Sequence, residues 1–316
     1  MNCLIPNSDD DIIKLLTLLK SKGESVNEIT GFAKALQKAS TPINLNKPSI
    51  DICGTGGSGK DRFNVSTASA FILAALGIPV SKHGNRGSTK ANGSFDFLEA
   101  LQVNFNHNAE TLSKLFEKTN ICFIFARLFH PSLAKIGPAR KKFGSSSIFN
   151  YLGPLCNPSN PSYQIIGTHS KKIAIKLANA KQLLKTEKSL IITGHNELDE
   201  LSTTGPSSII EVTKNNIDTY EFNPSKLGIQ THNEKEISGN TATENAILFE
   251  SLFEQRSIKH PIAQLICLNS AAALYCIGHA QTIEDGFKLA QTTLQSGKAW
   301  EHFLYYKTTV NTDNPL

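Results

Sequence analysis

Two short segments near the start of the chain carry apolar residues at helical spacing. Ser8 followed by Asp11 has the form of a helix start, and Ile12, Leu15, Leu16 and Leu19 then share a face until Gly23. Ser25 and Glu28 form a second capping-box pattern, continued by Val26, Ile29, Phe32, Ala33 and Leu36. Residues 1–45 thus predict a small helical domain, and the polar, proline-containing stretch from Thr41 to Pro48 reads as a linker.

From Ser49 the pattern changes. Short apolar runs at Ile50–Cys53, Ile78–Ser81, Ile121–Phe125, Gln164–Gly167 and Leu190–Thr193 predict strands. Between and after them, Thr67–Leu76, Glu110–Glu117, Lys172–Leu184, Thr243–Phe253, Ile262–Tyr275 and Glu284–Leu294 have helical spacing. Such alternation implies an α/β domain over residues 46–316 with a mostly parallel central sheet. Ile209–Val212 and Asp218–Phe222 fit a hairpin on its edge.

Composition supports a folded enzyme-sized chain. Of 316 residues, 40% are hydrophobic and 19% charged, enough for a sizeable core and too apolar for disorder. No apolar run is long enough for a membrane helix, and Met1–Pro6 has no signal-peptide pattern. The six cysteines show neither C-x-x-C pairing nor zinc-site spacing, which fits a reducing, cytoplasmic setting. A net charge of +5 suits small anionic ligands without requiring them.

Chemistry enters at Gly54-Thr55-Gly56-Gly57-Ser58-Gly59-Lys60, directly after a strand. Small residues there let backbone N–H groups approach an anion, but a tight turn without ligand fits the heptapeptide equally well. The dinucleotide fingerprint needs an acidic residue ending the next strand, and here that strand ends at Ser81-Lys82. The Walker A pattern needs Ser or Thr where Asp61 stands. Asn64-Val65-Ser66-Thr67 then opens an apolar helix, with Ser66 or Thr67 as the expected N-cap and the helix start as an anion site. Lys82-His83-Gly84-Asn85-Arg86-Gly87-Ser88-Thr89, at a second strand end, completes what reads as one phosphate pocket.

These blocks, with Gly93-Ser94, Asp96, His130-Pro131, Ala139-Arg140, Phe149-Asn150, Leu152–Leu155, Asp199-Glu200 and Leu268–Ala272, resemble the anthranilate phosphoribosyltransferases in order and over residues 15–305. Departures from the family pattern include Ser58 in place of its usual Asp and Ser146-Ser147 in place of Arg-Thr. The resemblance implies a nucleoside phosphorylase/phosphoribosyltransferase-like fold and transfer of the phosphoribosyl group of PRPP to anthranilate, a step in tryptophan synthesis. It implies PRPP binding by Gly54, Thr55, Gly56, Gly57, Asn64, Ser66, Thr67, Lys82, Ser88 and Thr89. Anthranilate falls to Gly54, Asn85 and Arg140, with His83 and His130 as candidates for which a packing role is equally open. Asp199 and Glu200, with Ser66, are the expected Mg²⁺ ligands, although an acidic pair is by itself more often solvated surface. A homodimer through the helices of residues 8–38 is expected, with no nucleic-acid or membrane partner. The rival functions are a pyrimidine nucleoside phosphorylase and a non-catalytic nucleic-acid-binding homologue.

Overall fold

A computed structural model describes residues 8–56, 62–87, 91–229 and 231–312. Gly57, Ser58, Ser88 and Thr89 lie outside the described residues. In chain order the elements begin with α1 (Asp9–Lys22), α2 (Val26–Lys38), β1 (Ile50–Gly54), α3 (Val65–Ala75) and β2 (Val80–Gly84). Next come α4 (Ser94–Ala100), α5 (Ala109–Thr119), β3 (Ile121–Phe125), α6 (Ala126–Phe129), α7 (Pro131–Phe143) and α8 (Phe149–Leu152). The remainder is β4 (Tyr163–Gly167), α9 (Lys171–Leu183), β5 (Lys188–Thr193), β6 (Ser207–Thr213), β7 (Ile217–Phe222), α10 (Ala242–Glu254), α11 (Pro261–Cys276), α12 (Ile283–Gln295) and α13 (Lys298–Thr312).

The local signals at the N-terminus act as read. The Ser8 hydroxyl accepts from Asp11 N, Gly23 ends α1 at φ +80°, and Ser25 with Glu28 forms a reciprocal capping box. Two expectations are corrected. Neither Ser66 nor Thr67 caps α3: the helix begins at Val65, and Asn64 holds the cap position without a side-chain cap bond. Ser66 and Thr67 therefore lie in the first turn. The second strand starts at Val80, because Ile78 N closes the end of α3 on Leu73 O and Pro79 has no N–H to give a ladder.

The strands form one sheet in the order β3-β2-β1-β4-β5-β6-β7. The first five are parallel, and β6 and β7 add antiparallel at the edge as the predicted hairpin. The chain leaves β1 toward β2 and β3 and then returns to the other side of β1 with β4. This reversal opens a crevice at the carboxyl ends of β1 and β4, where open α/β sheets bind ligands.

Two apolar layers sandwich the sheet. On one face α3 and α11, buried nearly all round, meet the α13 side chains; Phe71 contacts Phe123, Phe249, Phe303 and Tyr306 with ring centroids 5.1–5.9 Å apart. Burying one such ring contributes about 1.5–3 kcal/mol. On the other face Cys53, Ile166, Ile191 and Ile210 pack with α9 and with apolar residues of α1, α2, α7 and α8. The α1 helix buries Ile12, Leu16 and Leu19, while Leu18 remains 61% exposed. The five cysteines among the described residues are free and buried.

Candidate active site

The carboxyl ends of β1 and β2 open into a pocket of about 450 Å³. Its lining includes every predicted site residue that is described: Gly54, Thr55, Gly56, Asn64, Ser66, Thr67, Lys82, His83, Asn85, His130, Arg140, Asp199 and Glu200. Residues far apart in sequence thus meet in one crevice.

Close backbone packing builds the floor. Gly54 and Gly167 are register partners at the ends of β1 and β4. A Cβ on Gly167 would overlap the backbone carbonyl of Asp199, and one on Gly54 would lie 2.9 Å from Asp199 Oδ2. Glycine at both strands lets the Asp199 loop lie across the switch point. The same loop holds Asn196 and Glu197 at φ +52° and +60°, left-handed backbone that costs energy in non-glycine residues. Arg62, exposed by neither motif nor spacing, forms an ion pair with Asp199 and donates from Nη2 to Glu197 O at 3.2 Å. Glu200 stands beside them, half-buried, with Oε2 shut off from solvent and without a hydrogen-bond partner among the described residues. Burial pushes its carboxyl up to about 7, against the pull of Arg62 and Lys82.

The first loop rests on β4: Thr55 N donates to Gly167 O at 2.9 Å, and Gly56 sits at φ +66°. Thr55 Oγ1 is buried at the pocket wall with no partner among the described residues. The Asn64 side chain is committed to the scaffold. Its Nδ2 donates to Asn92 O, and its Oδ1 accepts from Asn245 Nδ2 at 3.0 Å. Asn92 and Asn245 also donate to Arg62 O, at 2.8 and 3.0 Å. Sequence reasoning passed over these two amides, because nothing local distinguishes them from surface asparagines.

The second wall likewise divides into scaffold and free groups. Arg86 is held by Glu99 at 2.6 and 2.7 Å and by Asp96 at 3.1 Å. Asp96 in turn accepts from Gly87 N and Gly93 N, each at 2.8 Å, which clamps the loop to the start of α4. Of the two cations expected to converge here, Arg86 is thus satisfied by carboxylates. Lys82 is buried, and its Nζ donates to Ile52 O at 2.5 Å. Burial lowers its pKa, partly offset by Asp51. Asn85 is exposed, with Oδ1 accepting from Arg86 N.

At the far side His83 and His130 approach with ring centroids 5.1 Å apart. Burial depresses both, to about 3 and about 4, so each is neutral at pH 7. Nδ1 of His83 lies 3.3 Å from Gly153 O, and its Nε2 is buried without a partner among the described residues. Arg140, near the end of α7, lies over the Phe149 ring at 5.2 Å and has no carboxylate partner among the described residues. Lys141 and Lys142 are exposed, as expected of a solvated run.

The donor set can be tested for a divalent cation. Two adjacent carboxylates, one with a buried oxygen lacking a partner among the described residues, and Ser66 line the same pocket. Among the described residues no group of three or more His, Cys, Asp or Glu gathers as a closed protein cage. The Asp199–Glu200 pair suits Mg²⁺, which takes one or two carboxylates and leaves its other positions to water and phosphate oxygens.

A sheet with this switch point, glycine-lined and carrying anion-facing and carboxylate walls, defines a glycosyl-transferring α/β domain. Residues 46–300 match the family model described as "Glycosyl transferase family, a/b domain". The chain belongs to the anthranilate phosphoribosyltransferase family. It is 40% identical over 292 residues to the anthranilate phosphoribosyltransferase of Halalkalibacterium halodurans, covering 92% of this chain and 85% of that one. That of Methanosarcina mazei is 38% identical, with 95% and 81% covered. Among solved structures, the Thermus thermophilus enzyme superposes with a TM-score of 0.90 at 32% identity, covering 96% of this chain and 91% of that one. The Saccharomyces cerevisiae enzyme in complex with PRPP and Mg gives 0.87 at 28% identity, covering 98% and 89%.

Proposed function

We propose that the chain transfers the phosphoribosyl group of PRPP to the amine of anthranilate, releasing pyrophosphate, with Mg²⁺. The observation that supports this most is the presence, in one 450 Å³ pocket, of an arginine with no carboxylate partner among the described residues, together with glycines, hydroxyl residues, Asp199 and Glu200.

In this reading the pyrophosphate lies against residues 54–57 and the first turn of α3, with Ser66, Thr67 and the segment containing Ser88 and Thr89 as its hydroxyl contacts. Asp199, Glu200 and Ser66 would hold Mg²⁺, which supplies positive charge to the leaving group when bound. The bond from the anomeric carbon to the pyrophosphate oxygen breaks with its electron pair staying on pyrophosphate, the anthranilate nitrogen forms the new bond on the opposite face, and that nitrogen then loses one proton to solvent. The amine is neutral at pH 7 and attacks with its own lone pair, so no strong base is needed beforehand. Arg140 takes the anthranilate carboxylate, pre-oriented by Phe149. Asn85, Gly54 and the neutral His83 and His130 border the acceptor. Lys82, in the pocket lining with its Nζ bonded to Ile52 O, acts on charge in the pocket through its field more than by contact.

The same reading assigns residues 1–45, completed by helices from the middle of the chain, to a small domain that covers the acceptor side of the large one. It places the protein in the cytoplasm as a homodimer using α1 and α2, with neither nucleic acid nor membrane as partner. Among the described residues no helix is long and apolar enough to cross a membrane.

One assay tests the activity. Protein, PRPP, Mg²⁺ and anthranilate are mixed, and anthranilate fluorescence is followed. A decay that requires both PRPP and Mg²⁺ is expected. A flat trace, together with phosphate-dependent cleavage of a pyrimidine nucleoside, would overturn the proposal.

A further inference from the structure

A second cavity, of about 200 Å³, lies toward the amino ends of β4 and β5 and shares Pro154 with the lining of the active-site pocket. Gln164 near the start of β4, Lys181 of α9 and the segments around Asn160 and Thr186 line it. Two of its polar side chains are almost fully buried and incompletely satisfied. Lys181 is 7% exposed, and among the described residues its side-chain ammonium makes no hydrogen bond or ion pair. Gln164 is 1% exposed, with Oε1 lacking any partner among the described residues.

The Gln164 amide cannot simply turn round. Its Nε2 donates to Pro154 O at 2.6 Å and to Asp51 Oδ2 at 3.1 Å, which fixes Oε1 as the free end. Asp51 acts on Lys181 through its field and forms no ion pair with it among the described residues. It accepts from Asn157 Nδ2 and His83 N, at 3.0 and 3.2 Å, and Lys82 lies beside it. At the rim Glu187 is tied to Lys214 at 2.5 Å, and Lys185 is exposed. The cavity therefore offers one ammonium without an ion pair or hydrogen bond and one acceptor without a donor, among the described residues. Burial of a lone ammonium costs several kcal/mol unless an anion joins it.

We propose that this cavity is a binding site for a protonated phosphate-class oxyanion, inorganic hydrogen phosphate or the head of a phosphate monoester. Lys181 Nζ donates to an anionic oxygen, and the O–H of the anion donates to Gln164 Oε1. Sulfate has the same shape and carries no O–H at neutral pH, so it can satisfy Lys181 and not Gln164. Burial lowers the Lys181 amine to about 8, so enough of it is charged at pH 7 to receive the anion. None of these groups belongs to the PRPP pocket.

The test is thermal unfolding of the full chain in inorganic phosphate and in sulfate, at matched ionic strength, for wild type and Lys181→Met. The wild type should gain about 2–3 °C at saturating phosphate and less in sulfate, and Lys181→Met should lose that gain. Phosphate held in the PRPP pocket would act on both proteins and cancel in the difference. Lys181→Met should keep the wild-type kcat/KM for both substrates. Equal phosphate responses in the two proteins would overturn the proposal. Crystals of the wild type soaked in phosphate give an independent reading if the variant fails to fold. Tetrahedral density bonded to Lys181 and Gln164 supports the site, and water alone at that position refutes it. Replacing inorganic phosphate with glycerol phosphate separates the two sources, since a closed site takes the free ion only.

Discussion

Gly167 at the end of β4 packs so tightly beneath Asp199 that the backbone carbonyl of Asp199 occupies the space of a Cβ. The position of the acidic pair is thereby set by a residue that bears no functional group. Gly167→Ala should push the 194–200 loop off the switch point. Overpacking costs about 1–3 kcal/mol of stability, and a shift of about 1 Å at a reacting centre costs roughly 10²-fold in rate. Steady-state kinetics should show kcat/KM for PRPP falling far more than a Tm loss would explain. Activity at the wild-type level would mean that the acidic loop is not positioned by this contact.

Asp199→Asn with Glu200→Gln keeps shape and removes the charge that holds a divalent ion. Activity should be nearly abolished, and added Mg²⁺ should no longer restore it. A magnesium titration of the double variant checks this; a normal titration curve would reduce the pair to a structural loop. Arg62→Ala should behave differently. It frees Asp199 from its ion pair and disturbs loop position, so some Mg²⁺ response should survive.

Arg140→Ala should weaken anthranilate binding by about 1.5–3 kcal/mol, roughly 10- to 150-fold, while the KM for PRPP changes little. Arg140→Lys should recover only part of the loss, because a point charge replaces a planar fork. Phe149→Leu removes the ring over which Arg140 lies at 5.2 Å, and should cost about 0.5–1 kcal/mol in the same parameter. Aniline, lacking the carboxylate, should be a poor acceptor and barely notice these changes. Equal losses for PRPP and anthranilate would instead indicate a damaged fold.

Lys82→Ala should lower stability as well as PRPP use. Its Nζ is spent on Ile52 O, and its charge offsets that of the buried Asp51. Removing one partner from a buried charged pair costs about 3–5 kcal/mol. Urea unfolding of the variant is the measurement, and an unchanged midpoint would return Lys82 to a purely ligand-facing role.

His83 and His130 set an acid limit. Their folded values, about 3 and about 4, lie below the ordinary value of 6.5. Below pH 6.5 the unfolded chain binds protons that the folded chain refuses, so stability falls as pH drops toward 4. Above pH 6.5 these two groups contribute no pH dependence. Urea midpoints at pH 7, 5.5 and 4.5 should decline, and a His83→Asn, His130→Gln double variant should decline less steeply. Parallel curves would show that other groups govern the acid limit.

The sequence by itself determined the elements whose cause is local. Ser8, Gly23 and the Ser25–Glu28 box set helix ends through bonds spanning a few residues, and the apolar runs marked each strand of the sheet. It also singled out the glycine and hydroxyl clusters at strand ends, and the described ones line one pocket. It missed α7 as a helix, since Gly137-Pro138 interrupts a pattern that only packing against α1 sustains. It passed over α13, whose Thr308, Thr309 and Val310 favour strands until Phe303 and Tyr306 are buried against Phe71. Only the tertiary structure divided the polar residues between scaffold and site. Asn64, Arg86 and Lys82 look like ligand contacts in sequence, yet each is bonded to partners 28, 13 and 30 residues away. Arg140, in an ordinary basic run, is left unpaired in the pocket. The reason is physical: a polar side chain's role depends on which groups remain unsatisfied once the chain closes, and those pairings are made across the sheet.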